Sequence, residues 1–178
     1  MNASDLFGYH FAAGGTRPGQ QKGEGTQYVS TSRKPAAILE GIKLVGGDTT
    51  EVQAVMLKEK GPPDVGRSRY ILDSFSEYAQ EATFEKAYKR LRQLGDQTRD
   101  ANLLLLVTAV PDLHTPKEIA TLKLWADGVL ELGFDRQGFG LYPYLKVTKM
   151  RGVPDSARFL LFKETERGLF MESTRRVF

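Results

Sequence analysis

Residues 103–110 read LLLLVTAV, four leucines followed by Val107, Thr108, Ala109 and Val110. An apolar run without alternation is the pattern of a strand buried on both faces, as in a parallel sheet. The neighbouring segments fit that reading. Upstream, Phe84, Ala87, Tyr88, Leu91 and Leu94 recur at helical spacing, which predicts a helix over Thr83 to Leu94. Downstream, Pro116 to Trp125 reads as a helix and Gly128 to Phe134 as a strand. Towards the N-terminus come a strand ending in an acid (Arg69 to Ser74), a short strand (Glu51 to Lys58) and a helix (Pro35 to Val45). Pro35 suits the first turn of that helix and Gly46-Gly47 its end. Thr26 to Thr31 predicts another strand. A glycine-rich loop over Gly14 to Gly25 follows a short helix over Asp5 to Ala13. The last third changes character: GLYPYLKVTKM, ARFLLFKET and GLFMEST read as three strands, with turns at Arg151–Ser156 and Glu166–Gly168. The expectation is one α/β domain over residues 1–178, a mostly parallel sheet followed by an antiparallel strand cluster.

Composition bounds the chemistry. The chain has 178 residues, with 40% hydrophobic and 26% charged, a globular balance. There is no cysteine, so disulfides, thiolate metal sites and cysteine nucleophiles are excluded. Two histidines, His10 and His114, lie far apart and do not suggest a histidine-rich metal site. No apolar run approaches the ~20 residues of a membrane helix. The start MNASDLFGYHF lacks the basic and apolar regions of a signal peptide, and a cytoplasmic protein is expected. The net charge is only +3, which permits nucleic-acid binding without demanding it. The clearest basic excess is Arg167, Arg175 and Arg176 near the C-terminus.

An open α/β sheet places its site at the carboxyl ends of its strands. The candidates there are Thr31, Ser32 and Arg33; Asp73 and Ser74; Thr108; and Lys149, Met150 and Arg151. Asp73 reads either as an acid that holds a hydrated Mg²⁺ on a nucleotide or as a strand-end aspartate that caps the next helix. The loop at Gly14 to Gln21 has the glycine spacing of a phosphate loop. It places Gln20 and Gln21 where Lys and Ser or Thr belong, and it reads as a surface loop. No G-x-S-x-G elbow occurs. His114 reads as a solvated or capping residue and His10 as a packing or surface residue. Glu77, Glu81 and Glu85 read as a solvated helix face. Tyr142, Tyr144 and Phe139 near the basic KVTKMR stretch read as sheet core or as base-stacking platforms.

The order of these elements resembles the RecA-like ATPase domain of the KaiC family, which has many archaeal members. VTKMRG at 147–152, followed by a strand and then Arg167-Gly168-Leu169, is similar to the family's K-M-R-G strand–turn and closing hairpin. YVSTSRKPAAILEGIKLVG, YILDSFSEY and LWADGVLELGF resemble its strand–helix, Walker B and A-D-G-V segments. The resemblance implies a three-layer αβα sandwich. It also sets Ser4 and Asp5 where the phosphate loop carries Lys and Thr, and Ser32-Arg33 where the family carries an acidic pair. The family's first strand would precede Met1. On these grounds the resemblance implies a pseudo-ATPase that lacks the phosphate loop and has a regulatory or structural role. No catalytic residue and no cofactor are expected; Asp73, Ser74, Lys149 and Arg151 are the vestigial or in-trans nucleotide residues, with weak Mg–ATP binding at Asp73 and Lys149 as the alternative. Lys149 and Arg151 match family residues that reach a neighbour's nucleotide. The partner implied is a second copy or an active RecA-like ATPase, with single-stranded DNA as a weaker alternative and no membrane.

Overall fold

The computed structural model describes residues 8–9, 11–12, 25–57, 69–137, 140–153, 158–165 and 168–172. The chain forms two compact units, Met1–Thr115 and Pro116–Phe178. The phosphate-loop-like stretch, His10, Phe139 and the arginines at 167, 175 and 176 lie outside the described residues.

The first unit is built on a parallel sheet of four strands, β1 (Thr26–Ser30), β2 (Val52–Met56), β3 (Arg69–Asp73) and β4 (Leu104–Val107), in the order β2-β1-β3-β4. β1 lies inside the sheet and is buried along its whole length. Its register puts Ser30 beside Asp73. Helix α1 (Pro35–Leu44) opens on its proline and ends near Gly46, whose φ of +77° suits glycine. It buries Ile38, Gly41 and Ile42. Helices α2 (Phe75–Ala82) and α3 (Phe84–Asp100) follow β3. α3 buries Ala87, Leu91 and Leu94 of the stripe that the helical spacing predicts, leaves Phe84 and Tyr88 half-buried, and runs six residues beyond Leu94 to bury Thr98 as well.

The run that identifies the sheet corrects one expectation. Within Leu103 to Val110 the strand is Leu104–Val107, which pairs in parallel, Arg69 with Leu104 through Leu72 with Val107. It is not buried on both faces: Leu104 is 51% exposed and Leu105 to Val107 are half-buried. The strand order accounts for this, because β4 is an edge among the described strands.

The second unit contains α4 (Pro116–Trp125) and an antiparallel sheet, β5 (Gly128–Gln137), β6 (Gly140–Met150), β7 (Arg158–Thr165) and β8 (Gly168–Glu172), in chain order. A register shift at Val129/Leu130 interrupts the long β5–β6 hairpin. Leu145 and Phe162 are buried, whereas α4 buries no side chain fully. Among the described residues no helix is long and apolar enough to cross a membrane.

At Gly41, α1 comes close to the Tyr9 ring of the N-terminal segment. A Cβ there would stand 2.3 Å from the Tyr9 ring. Gly41→Ala is expected to cost about 1–3 kcal/mol through overpacking, read as a lower urea midpoint at unchanged slope.

Candidate functional site

Three strand ends converge at the carboxyl edge of the parallel sheet. The Thr31 N–H donates to the Asp73 carbonyl at 3.0 Å, the Thr108 N–H to the Leu72 carbonyl at 3.0 Å, and the Phe75 N–H to the Thr108 carbonyl at 2.9 Å. These bonds carry the ladder past the regular strands. They bring Thr31, Asp73, Ser74 and Thr108 together, as the sequence predicts for an open sheet.

Asp73 is the centre. It is buried, and burial of a carboxylate is costly unless donors and a countercharge meet it. The Tyr28 hydroxyl donates to Oδ2 at 2.9 Å and the Thr108 hydroxyl to Oδ1 at 2.7 Å. The Arg33 guanidinium stands 3.8 Å from Oδ2. At that distance the attraction is about 4 kcal/mol with an effective dielectric constant of about 20, and desolvation of both groups offsets much of it.

A local turn aims Arg33. The Ser30 hydroxyl oxygen accepts the N–H groups of Ser32 at 3.4 Å and Arg33 at 3.1 Å, folding the chain back just after β1. The guanidinium then donates to the Tyr9 hydroxyl at 2.8 Å and lies 5.7 Å from the Tyr9 ring centroid, within cation–π range. Tyr9 and Tyr28 are themselves neighbours, with ring centroids 6.0 Å apart. Burial first, then the Asp73 charge and hydrogen bond, pushes the Tyr28 phenol well above its ordinary value of 10.0. Tyr28 therefore stays neutral and keeps donating.

The strand-end reading of Asp73 divides between two residues. Ser74, not Asp73, caps α2: its hydroxyl oxygen accepts the Glu77 N–H at 3.4 Å. Glu77 departs from the solvated face expected of it. The Thr31 hydroxyl donates to Glu77 Oε2, and Thr31 Oγ1 also accepts the Ser74 N–H at 3.3 Å. His114 also departs from its reading. Its Nε2 is 2.8 Å from the Ser76 hydroxyl, and its ring packs on Phe75 and Phe84. Ser76 is fully buried and accepts the Val110 N–H, so the Ser76–His114 pair is a packing element without an exposed nucleophile.

Sequence reasoning missed Tyr9 and Tyr28. Tyr28 sits in YVSTS as an ordinary strand aromatic, and only the register of β1 against β3 directs its hydroxyl at Asp73. A cavity of about 570 Å³ between the sheet and α3, lined by Tyr70, Leu72, Tyr78, Leu91 and Leu94, includes neither Asp73 nor Arg33. Among the described residues no group of three or more His, Asp or Glu is arranged to hold a metal ion.

Lys149 and Arg151 belong to the second unit, and both have partners within it. Lys149 Nζ donates to the carbonyls of Lys123 at 3.1 Å and Leu124 at 2.9 Å, which helps close the last turn of α4. Arg151 pairs with Asp127 at 2.7 Å, with its side chain 69% exposed. Such a surface pair contributes about 0–1 kcal/mol.

The Tyr28 hydroxyl is the donor whose loss is most informative. Tyr28→Phe keeps the ring and leaves Asp73 short of one bond, so a loss of about 1–3 kcal/mol at neutral pH is expected. Because the folded-state pKa is raised, the stability Tyr28 contributes is complete below about pH 10 and is lost as pH rises further. Urea unfolding followed from pH 9 to 11 is expected to show an alkaline decline that is shallower in Tyr28→Phe.

No protein-family model matches the chain, and no curated protein does. Among solved structures, it is similar to a KaiC-like protein from the hyperthermophilic archaeon Pyrococcus horikoshii. The TM-score is 0.73 and the identity 18%, over 94% of this chain and 84% of the other. At that identity the likeness is one of fold. The chain thus has the α/β fold of that KaiC-like protein, the RecA-like fold that the order of its sequence motifs implies.

Proposed function

We propose that this chain is a cytoplasmic pseudo-ATPase, a RecA-like domain that hydrolyses no nucleotide and acts as a regulatory or structural interaction module. One observation carries the reading: the acid at the end of β3 already has its partners. Tyr28 and Thr108 hold its two oxygens, and Arg33 supplies the positive charge that Mg²⁺ would otherwise bring. The sequence resemblance adds that Ser4-Asp5 and Ser32-Arg33 stand where Lys-Thr and two acids would serve phosphoryl transfer. Lys149 and Arg151 are the side chains we assign to a neighbouring subunit's nucleotide. Arg151 suits this role, because a weak, exposed ion pair is readily exchanged for a polyphosphate.

Size-exclusion chromatography with light scattering, run with and without Mg–ATP, tests the reading. The expected outcome is an oligomer whose mass is indifferent to nucleotide. Labelled ATP is expected to show no saturable binding below the millimolar range, where about 4 kcal/mol holds a ligand. A nucleotide-dependent mass shift or ATP turnover would overturn the proposal.

A second reading, binding of single-stranded DNA, rests on one face of the antiparallel sheet. Tyr142 and Phe159 are 40% and 50% exposed, Tyr144 stacks on Phe159 at 4.7 Å, and Lys146 lies opposite Phe159 in register. Bases stacked on such rings contribute about 1–3 kcal/mol each. If this reading holds, Phe159→Ala weakens retention of an oligo-dT by that amount, and binding falls steeply with salt. Absence of binding at low salt eliminates it.

A further inference from the structure

A buried carboxylate takes a cation from its surroundings or from its own chain, and here the chain supplies it. At the same strand ends the Thr108 hydroxyl meets Asp73 Oδ1 and the Thr31 hydroxyl meets the Glu77 carboxylate, and hard oxygen donors of this kind are what a divalent cation of the Mg²⁺ class prefers. The cation beside them is the guanidinium of Arg33, 3.8 Å from Asp73 Oδ2. Its placement is built rather than incidental. The Ser30 turn sets its backbone, and the Tyr9 hydroxyl and ring hold its head group. Gly41 in turn leaves the space that the Tyr9 ring occupies. Arg33 cannot lose its charge at any ordinary pH, so it is a permanent occupant.

We propose that Arg33 is the resident countercation of this site and determines its ligand selectivity, excluding divalent metal from Asp73. The inference deepens the pseudo-ATPase reading and rests on it, since it names the side chain that closes the site. Removing the guanidinium is expected to uncover a divalent- or lanthanide-ion site that the wild-type protein does not offer.

Terbium luminescence sensitised by tyrosine tests this, because Tyr28 touches Asp73 and would transfer its excitation to an ion bound there. The variants are Arg33→Met, which keeps a long apolar stem against the Tyr9 ring, and Arg33→Lys, which keeps the charge. Circular dichroism checks that each is folded. Arg33→Met is expected to bind Tb³⁺ at least about tenfold more tightly than wild type, since a like charge near the ion has gone. Added Mg²⁺ should compete. Mg²⁺ should also raise the melting temperature of Arg33→Met and leave that of the wild type unchanged. Arg33→Lys should behave as the wild type, and adding Asp73→Asn to Arg33→Met should abolish the gain.

Strong saturable Tb³⁺ emission from the wild type would overturn the inference. So would a folded Arg33→Met that gains no affinity, or a gain that survives Asp73→Asn. If Arg33→Met does not fold, the wild-type titration and Arg33→Lys still decide: metal binding by either overturns the inference. Wild-type ATP turnover sinks the pseudo-ATPase reading. Failure of Arg33→Met to gain metal, in a protein inert to ATP, sinks only the role of Arg33.

Discussion

The structure around the first sheet is organised by one demand: a buried aspartate at the end of β3 must be satisfied on both oxygens and balanced in charge. Each element nearby answers part of it. β1 lies parallel to β3 in a register that brings Tyr28 to Oδ2, and β4 delivers Thr108 to Oδ1. The turn after β1 returns Arg33 over the same edge. A shift of β1 by one residue would turn Tyr28 to the opposite face of the sheet and take its hydroxyl from Asp73.

This demand also explains why the phenol of Tyr28 is held neutral. A charged Tyr28 would stand beside the Asp73 carboxylate in a dry environment, and both burial and like-charge repulsion oppose that. Arg33 carries the opposite sign and gains from the same surroundings. Its Nη1 stands 2.8 Å from the Tyr9 hydroxyl and 3.8 Å from Asp73 Oδ2, so one nitrogen serves both. The polar cluster is a small network whose members depend on each other, so its pairwise strengths do not add simply.

The second unit is held differently. Its sheet is an antiparallel meander with Leu145 and Phe162 inside, and the ion pairs Lys123–Glu131 and Arg151–Asp127 are at the surface. Lys149 ties β6 to the end of α4 through main-chain carbonyls, and Arg151 pairs with Asp127 in solvent. The contrast is one of magnitude. Around Asp73 a lost partner leaves a buried charge, whereas at Arg151 water replaces Asp127 at little cost. That is why the first cluster is read as a closed site and the second as an available one.

Sequence alone determined the elements whose signals are local. Pro35 and the glycines at 46 and 47 bound α1, the PKEIATLKLW segment becomes α4, and the three C-terminal apolar segments become β6 to β8 in antiparallel register. The strand-end position of Asp73 was legible too, because an acid closing an apolar run marks the edge of an open sheet. Tertiary structure alone decided the rest. An apolar run cannot state its place in the strand order, so only the sheet shows that β4 is an edge with Leu104 exposed. Glu77 and His114 carry no sequence mark of their partners, Thr31 and Ser76, which lie 46 and 38 residues away. The convergence of Tyr9, Tyr28 and Arg33 on Asp73 depends on strand register and a crossover through α1 and β2, and long-range pairing of that kind leaves no periodic trace along the chain.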